Sequence, residues 1–394
     1  MDGRADIVGF RGDGVWIAEG QVDGTFGVAY HGFSYFVANS GWLTNDAYHR
    51  TDEDVNGDGL ADLVGFGSDG VYVALNKGVS ATPGQADPSA IDVGADSGAV
   101  LDSLTSIERV VGSAYADTLS GDAGANTLEG MSGGDVLDGR DGDDTLLGGG
   151  GDDRLVGGAG ADILDGGEGV DTADYSAATS RVAVDLIHGN TDTGVDGAVY
   201  GGSEAVGDTL SGIENVVGSG FADSLTGDDG ANRLEAGAGG DWLNGRAGDD
   251  ILDGGTGDDA LSGGDGDDSL LGGAGADTLD GGDGNDVASY QDASQSVHVD
   301  LANAANNTGE AAGDTCVSIE TVRGSGFDDE ISGDASANAL YGLSGDDSLS
   351  GAAGDDDMRG GAGEDLLLGE EGDDDLYGGL GNDDLRGDEG QDEL

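Results

Sequence analysis

Apolar residues recur every nine positions along the last two thirds of the chain, and this spacing is its dominant pattern. Each nonad reads G-G-x-G-x-D-x-L-x, as in "GGAGADILD" at 157–165 and "GGAGADTLD" at 272–280. The frame holds without a gap over 112–174, 218–289 and 324–394, which gives seven, eight and eight nonads, the last one residue short. Position eight is Leu, Ile, Met or Ala in all 23 nonads. One apolar position between variable neighbours predicts a strand of about three residues with a single inward side chain.

A turn followed by so short a strand cannot bury its apolar side chain alone. Two nonads therefore pair into an 18-residue coil, and coils stack with their strands about 4.8 Å apart. We predict an all-β fold with three parallel β-rolls in tandem, at 112–174, 218–289 and 324–394, the third one truncated. The segments 175–217 and 290–323 between them contain the matching stretches "YSAATSRVAVDL" (175–186) and "YQDASQSVHVDL" (290–301), whose alternation at Val182, Val184 and Leu186 predicts connecting strands.

Position six of the nonad is acidic in nearly every copy. It is Asp in 20 of the 23 nonads and Asn in the second nonad of each block, at Asn126, Asn232 and Asn338. Stacked coils place these aspartates in columns, where carboxylates repel one another unless a hard cation lies between them and takes oxygens from both. The glycines allow tight turns that direct backbone carbonyls at the same ion. The pattern therefore predicts ladders of calcium sites.

The predicted ligands are the position-six aspartates beyond the first two nonads of each block: Asp135, Asp144, Asp153, Asp162, Asp171, Asp241, Asp250, Asp259, Asp268, Asp277, Asp286, Asp347, Asp356, Asp365, Asp374 and Asp383. If each ion is shared between loops two nonads apart, the rolls hold roughly eleven calcium ions.

The first nonad of each block carries an aromatic residue at position four, where later nonads have glycine. These residues are Tyr115, Phe221 and Phe327. We predict capping turns in which the aromatic ring closes the roll, and ligand stacking is the alternative. The single cysteine, Cys316, lies in the slot that Leu104 and Leu210 hold in a segment repeating every 106 residues. A small buried apolar residue is expected there instead of a reactive thiol.

The first 80 residues follow a different pattern. "DVNGDGLADLVGFGSDGVYVALN" (54–76) matches "DGRADIVGFRGDGVWIAEG" (2–20) at an offset of 56. An Asp-rich loop leads into an apolar strand, a turn and a second strand. An EF-hand is excluded, because the twelfth position of the loop is Gly65 instead of Glu. Residues 81–111, which contain both prolines, are interpreted as a linker and first cap.

The negative charge of the chain limits which molecules it can bind. The chain has 82 acidic and 13 basic residues, a net charge of −69, of which 112–394 carry −57. Nucleic acid is an improbable partner because its phosphates need the opposite sign. No apolar run approaches the length of a membrane span, and "MDGRADIVGF" lacks the basic and apolar regions of a cleavable signal.

The nonads resemble the RTX, or haemolysin-type, calcium-binding repeats over roughly 112–394. This resemblance implies a parallel β-roll that folds with calcium outside the cell, often after type I secretion. The N-terminal pattern is similar to FG-GAP or VCBS repeats, the blades of β-propellers. That resemblance implies one calcium ion held by Asp54, Asn56, Asp58 and Asp62 with the carbonyl of Leu60. Two blades cannot close a propeller, so we expect residues 1–80 to be a partial one.

Three functions are compatible with this sequence. The first is a secreted, extracellular calcium-binding module that serves as a scaffold, an adhesin part or a folding tail. The second is the non-catalytic part of a secreted protease, lipase or phosphatase. The third is a lectin that binds cell-surface glycans through the propeller. No nucleophile–base pair or catalytic metal set is recognisable, so no enzymatic activity is expected from this chain.

Overall fold

The computed structural model describes residues 108–187 and 206–394 in full, together with the backbone of short strands outside these ranges. The chain divides into two compact units, Met1–Asp171 and Thr172–Leu394. Among the described residues, no helix is both long and apolar enough to cross a bilayer.

Unit 1 begins with eight short strands, of which only the backbone is described. They are β1 (Ile7–Arg11), β2 (Gly14–Ala18), β3 (Tyr30–His31), β4 (Thr51–Glu53), β5 (Asp62–Phe66), β6 (Val71–Ala74), β7 (Ile91–Val93) and β8 (Ser103–Leu104). Strands β1–β2–β3 and β4–β5–β6 form two antiparallel three-stranded sheets. The strand–turn–strand pattern predicted for the two N-terminal copies agrees with β1–β2 and β5–β6. The partial propeller itself remains a prediction.

The rest of unit 1 is a parallel β-roll. Its strands are β9 (Arg109–Val111), β10 (Thr118–Ser120), β11 (Thr127–Ser132), β12 (Val136–Asp141), β13 (Thr145–Gly150), β14 (Arg154–Ala159) and β15 (Ile163–Glu168). Alternate strands pair in parallel, β10–β12–β14 on one side and β9–β11–β13–β15 on the other. Leu128 lies beside Leu146, and Leu146 beside Leu164, so each coil is 18 residues long. The predicted coil length is confirmed.

Unit 2 continues the same architecture over 23 strands and two short 3₁₀ turns. The strands are β16 (Thr172–Asp174), β17 (Ala183–Asp185), β18 (Asn190–Thr191), β19 (Thr209–Ser211), β20 (Asn215–Val217), β21 (Ser224–Thr226), β22 (Arg233–Glu235), β23 (Trp242–Ala247), β24 (Ile251–Asp253), β25 (Ala260–Asp265), β26 (Ser269–Leu271), β27 (Thr278–Asp283), β28 (Val287–Ser289), β29 (His298–Asp300), β30 (Thr315–Val317), β31 (Thr321–Arg323), β32 (Glu330–Ser332), β33 (Ala339–Ser344), β34 (Ser348–Ser350), β35 (Asp357–Ala362), β36 (Leu366–Glu371), β37 (Asp375–Leu380) and β38 (Asp384–Glu389). The 3₁₀ turns are Ala304–Asn306 and Gly309–Ala311.

One parallel sheet runs through the second and third blocks without a break. It orders β16, β20, β22, β24, β26, β28, β31, β33, β35 and β37 side by side. The connecting segment 290–323 enters this stack as an enlarged coil, because β28 pairs directly with β31. On the opposite side the sheet divides: β30 ends one stack against β27, and β29 begins the next against β32. The predicted connecting strands are thus part of the solenoid.

The core is a file of position-eight side chains. In unit 1, Leu128, Leu137, Leu146, Leu155 and Leu164 are fully buried, and unit 2 buries its position-eight residues in the same way up to Leu376. The flanking positions seven and nine are half-buried or exposed, except that Asp174 and Ser289 at position nine are buried. The inward direction predicted for position eight is therefore confirmed.

Two details of the predicted caps and core differ from expectation. Tyr115, Phe221 and Phe327 keep 57%, 45% and 45% of their surface exposed, so their rings do not close the core and that prediction is wrong. Cys316 pairs in register with Leu279, as a core residue should, although it retains intermediate exposure. Burial raises the pKa of its thiol to about 12, which keeps it protonated and unreactive.

Position two of the nonad has a left-handed backbone in most loops. A side chain there is crowded: a Cβ on Gly237 would lie 2.6 Å from the carbonyl oxygen of Ser219, one coil away. Glycine avoids this strain, yet several loops carry another residue, including Arg246 at φ 86° and Ala352 at φ 76°. These loops hold local strain that glycine would relieve.

Ala352 and the adjacent Ala353 allow a matched test of this strain. We expect Ala352→Gly to raise the free energy of unfolding of the calcium-loaded protein by about 1 kcal/mol, because glycine relieves the left-handed conformation. Ala353 lies outside the left-handed region and is equally half-buried. Ala353→Gly should lower the free energy of unfolding by about 0.5–1 kcal/mol, through the larger entropy of the unfolded chain. Urea denaturation measures both, and a loss of stability in both variants would contradict the assignment.

Candidate metal centre

The position-six aspartates form hydrogen-bonded columns along the rolls. In most coils the backbone N–H at position six donates to Oδ1 of the aspartate 18 residues later. In unit 1 the N–H of Asp135 lies 2.7 Å from Asp153 Oδ1, and that of Asp144 lies 2.8 Å from Asp162 Oδ1. In unit 2 the N–H of Asp241 donates to Asp259 Oδ1 over 2.7 Å. The sheet ladder therefore fixes both the position and the rotamer of every carboxylate in a column.

The second oxygen of these carboxylates is buried without a hydrogen-bond partner. This holds for Oδ2 of Asp135, Asp144, Asp153, Asp241, Asp250, Asp259, Asp268, Asp277, Asp286, Asp347, Asp356, Asp365 and Asp374. A buried carboxylate oxygen with no donor and no counter-charge costs several kcal/mol. Thirteen of the sixteen predicted ligands in the rolls share this feature. Their burial therefore lowers the free energy of unfolding of the metal-free roll.

The other three predicted ligands of the rolls lie in the same columns. Asp162 and Asp171 are fully buried, and their Oδ1 atoms accept from the N–H groups of Asp144 and Asp153. Asp383 is half-buried in the last full coil and accepts from the N–H of Asp365 over 3.1 Å. The structure therefore brings all sixteen aspartates into the predicted stacked register.

A backbone carbonyl lies near several of the unpartnered oxygens. A Cβ on Gly254 would fall 2.6 Å from Asp259 Oδ2 and 2.8 Å from the carbonyl oxygen of Gly272 in the next coil. Gly245 and Gly342 show the same pairing, with Asp250 and Asp347 respectively. At each of these three glycines a carboxylate oxygen and a carbonyl oxygen thus lie beside the same Cα, and the carboxylate oxygen has no donor.

Burial changes the acidity of the columns. Desolvation, together with neighbouring carboxylates, raises the pKa of Asp144, Asp250, Asp277 and Asp347 from 3.8 to about 7. The backbone N–H that each of them accepts opposes this shift only in part. These carboxylates consequently carry charge at pH 7 at a cost to the fold, which a proton or a metal cation removes.

The donor set fits calcium. Carboxylate and carbonyl oxygens are ligands of a hard cation, and the flexible coordination of Ca²⁺ accepts a mixed set of them. Within 108–187 and 206–394, no three His, Cys, Asp or Glu side chains converge on one point. The glycine-rich turns predict sites that combine one or two carboxylates with backbone carbonyls. A carboxylate or histidine cage is not present in these ranges.

The N-terminal ligand set lies largely outside the described residues. Asp54, Asn56, Asp58 and the carbonyl of Leu60 are not described, and Asp62 is described only as the first residue of β5. This calcium site remains a prediction.

Two further acidic residues continue the columns through the segment 290–323. Asp314 Oδ1 accepts the N–H of Asp277 over 2.9 Å, and a carboxylate oxygen of Glu320 accepts the N–H of Asp286 over 2.9 Å. The nonad frame did not include them. A signal was present, because Asp314-Thr315-Cys316 repeats the D-x-apolar order of positions six to eight and matches Asp208-Thr209-Leu210.

Comparison with known families agrees with this geometry. The model of the RTX calcium-binding nonapeptide repeat matches residues 105–137, 138–173, 208–241, 226–261, 253–288, 319–349, 332–367 and 359–394. A search of the curated proteins returned no match. The matched segments cover more than half of the chain and coincide with the stacked coils and their aspartate columns. The chain therefore belongs to the family of proteins with RTX calcium-binding nonapeptide repeats.

Proposed function

We propose that this protein is a secreted, non-catalytic calcium-binding module whose β-rolls fold when they bind Ca²⁺ outside the cell. It would act as a scaffold, adhesion or folding segment of an extracellular protein. The observation that carries the proposal is the set of thirteen buried Oδ2 atoms without a partner. A roll that buries so many uncompensated carboxylates is unstable as it stands, and Ca²⁺ supplies the positive charge that the columns lack.

The position-six aspartates bind the ion, and backbone carbonyls of the turns complete its coordination shell. Asp259 Oδ2 and the carbonyl oxygen of Gly272 in the next coil both lie beside Gly254, so one shared cation would take both as ligands. The Oδ1 atom meanwhile keeps its hydrogen bond to the preceding coil. Each carboxylate therefore links metal binding directly to strand pairing.

Calcium concentration then becomes the signal for folding. The net charge of −57 over 112–394 opposes compaction, and each nonad offers only one apolar side chain to the core. Extracellular calcium modules bind with dissociation constants of about 10⁻⁴–10⁻³ M, far above cytosolic calcium. The chain would stay unfolded and exportable inside the cell and fold after release. The proposed link to secretion rests on the expected calcium affinity and on the net charge of the rolls.

The first test of the proposal is a calcium titration followed by far-UV circular dichroism. We expect a weak β signal in chelator and a cooperative rise to the β-roll signal at calcium concentrations up to the millimolar range. Magnesium is the control, because its strict octahedral geometry suits carbonyl-rich loops poorly. A full β signal in excess chelator, unchanged by calcium, would refute calcium-driven folding.

Adjacent aspartates in one loop provide a matched test of the ligand set. Asp259 is buried in a column, whereas Asp258 is exposed and its Oδ1 accepts the N–H of Ala276. Asp259→Asn should remove at least one calcium ion and weaken the sites one coil away on either side. Asp258→Asn makes the same charge change and should leave the stoichiometry unchanged. Isothermal titration calorimetry distinguishes them, and equal losses in both variants would argue against the column.

The raised pKa values predict that a rise in pH lowers the stability of the calcium-free roll but strengthens calcium binding to the folded roll. Between pH 3.8 and about 7 the folded columns bind more protons than the unfolded chain. The stability of the calcium-free roll should therefore fall as pH rises through this window. Since protons compete with the metal on the folded columns, the calcium affinity of the folded roll should rise with pH until about pH 7. Circular dichroism of calcium-stripped protein from pH 4 to 8 tests this, and stability that increases with pH would show that the columns are not buried as described.

A further inference from the structure

One part of the outer surface of unit 2 carries no charged side chain, although the chain as a whole has a net charge of −69. Strands β21, β23 and β25 lie side by side in parallel register. Positions seven and nine of each strand point outward, because position eight between them is buried. These six outward residues, which we call the neutral face, are Ser224, Thr226, Trp242, Asn244, Ala260 and Ser262.

Trp242 is the most exposed residue of the neutral face. It keeps 45% of its surface exposed, whereas the other five residues are half-buried. Its neighbours in register are Ser224 and Ala260, and neither side chain is large enough to cover an indole ring. The next residue, Leu243, is fully buried, which fixes the strand and directs Trp242 to solvent. The indole therefore offers a large apolar ring surface to a ligand.

The third block has an aromatic residue of equal exposure in different surroundings. Tyr377 on β37 keeps 46% of its surface exposed, but the guanidinium of Arg359 lies 5.6 Å from the centre of its ring. The outward residues of β33, β35 and β37 include Asp357, Arg359 and Asp375, so half of those six positions are charged. An exposed aromatic ring without charged residues beside it on the sheet is thus a feature of the neutral face and not of the surface around Tyr377.

The size of the neutral face limits what it can bind. Three strands about 4.8 Å apart, with two outward residues on each, span about 10 Å by 7 Å. Asp185 and Asp280 follow in register on the flanking strands β17 and β27, so charge bounds the face on both sides. A stable protein interface buries about 800 Å² of each partner around an apolar core. The neutral face is too small and too hydrophilic for that, and it matches one or two sugar rings.

We propose that the neutral face binds an uncharged polysaccharide whose pyranose rings stack on Trp242. A pyranose with equatorial hydroxyls presents C–H groups on its face, which pack against the electron-rich face of an indole. Its hydroxyls then lie at the edge of the ring, where Ser224, Asn244 and Ser262 offer hydroxyl and amide groups that both donate and accept hydrogen bonds. Neither partner has to bury a charge. This inference goes beyond the proposed function, because it gives the rolls a ligand besides calcium.

The experiment is isothermal titration calorimetry of the full chain with cellohexaose, a neutral glucose hexamer with equatorial hydroxyls. Trp242→Ala should lower the association constant by about tenfold or more, because a central tryptophan carries much of the binding energy of a contact. Trp242→Tyr keeps an aromatic ring and should retain more of the affinity than Trp242→Ala. Tyr377→Ala is the matched control: it removes an equally exposed aromatic ring and should leave the affinity unchanged.

A second ligand tests the role of charge. Hexagalacturonate has the same number of sugar units with a carboxylate on each, and the negative field of the chain should make it bind more weakly than cellohexaose. Circular dichroism confirms that every variant is folded before titration, so the result does not depend on what drives folding.

Loss of cellohexaose binding in Trp242→Ala, with binding kept in Tyr377→Ala, supports the inference. Absence of cellohexaose binding by the wild-type chain overturns it, and so does binding that survives Trp242→Ala, since the glycan then lies elsewhere on the chain. A dimer in sedimentation that Trp242→Ala abolishes, without any glycan binding, also overturns it, because the face then contacts a second copy of the chain. None of these results changes the calcium titrations, so the proposed function stands or fails separately.

Discussion

Uncompensated negative charge inside the rolls is the constraint on which the rest of the structure depends. In thirteen of the predicted ligands, one carboxylate oxygen accepts a backbone N–H of the neighbouring coil and the other is buried without a partner. A protein interior rarely tolerates a charge without a partner. The aspartates cannot move away, because the hydrogen bond that holds Oδ1 belongs to the same ladder that joins the coils. Under the proposed function, folding and cation binding are consequently one process.

The glycines and the leucines serve that constraint in different ways. Fully buried side chains such as Leu146 and Leu252 set the stacking distance through a file of identical contacts. Glycine at positions two and four lets successive turns lie so close that carbonyl oxygens of one coil face the Cα atoms of the next. Non-glycine residues such as Arg246 show that the left-handed turn is imposed by the stack, since it persists where the side chain disfavours it.

Periodicity made most of the fold predictable from the sequence. A nine-residue repeat with one apolar and one acidic position determines the coil length, the inward face and the aspartate columns, because each follows from strand geometry alone. The roles of Tyr115, Phe221 and Phe327 were mispredicted, because a ring in place of glycine is equally compatible with an exposed turn. The columns' continuation through Asp314 and Glu320 was missed, because these residues join the stack only after a detour of 37 or 34 residues instead of 18. The local D-x-apolar order at Asp314 does not tell which coil the residue joins, because that depends on the three-dimensional packing of the intervening segment.

The buried pair of Tyr290 and Asp314 has a consequence for cooperativity in unit 2. The tyrosine hydroxyl donates to Asp314 Oδ2 over 3.0 Å, so this carboxylate is satisfied by a neutral group at the point where one sheet ends. The opposite sheet passes the same level unbroken through β28 and β31. In a stack where each coil is stabilised mainly by its neighbours, unfolding can spread from one end and stop at a coil where a sheet ends and the buried carboxylate already has hydrogen-bond donors. The second and third blocks can thus unfold as separate cooperative segments on the side of the interrupted sheet. The unbroken sheet on the opposite side keeps them joined.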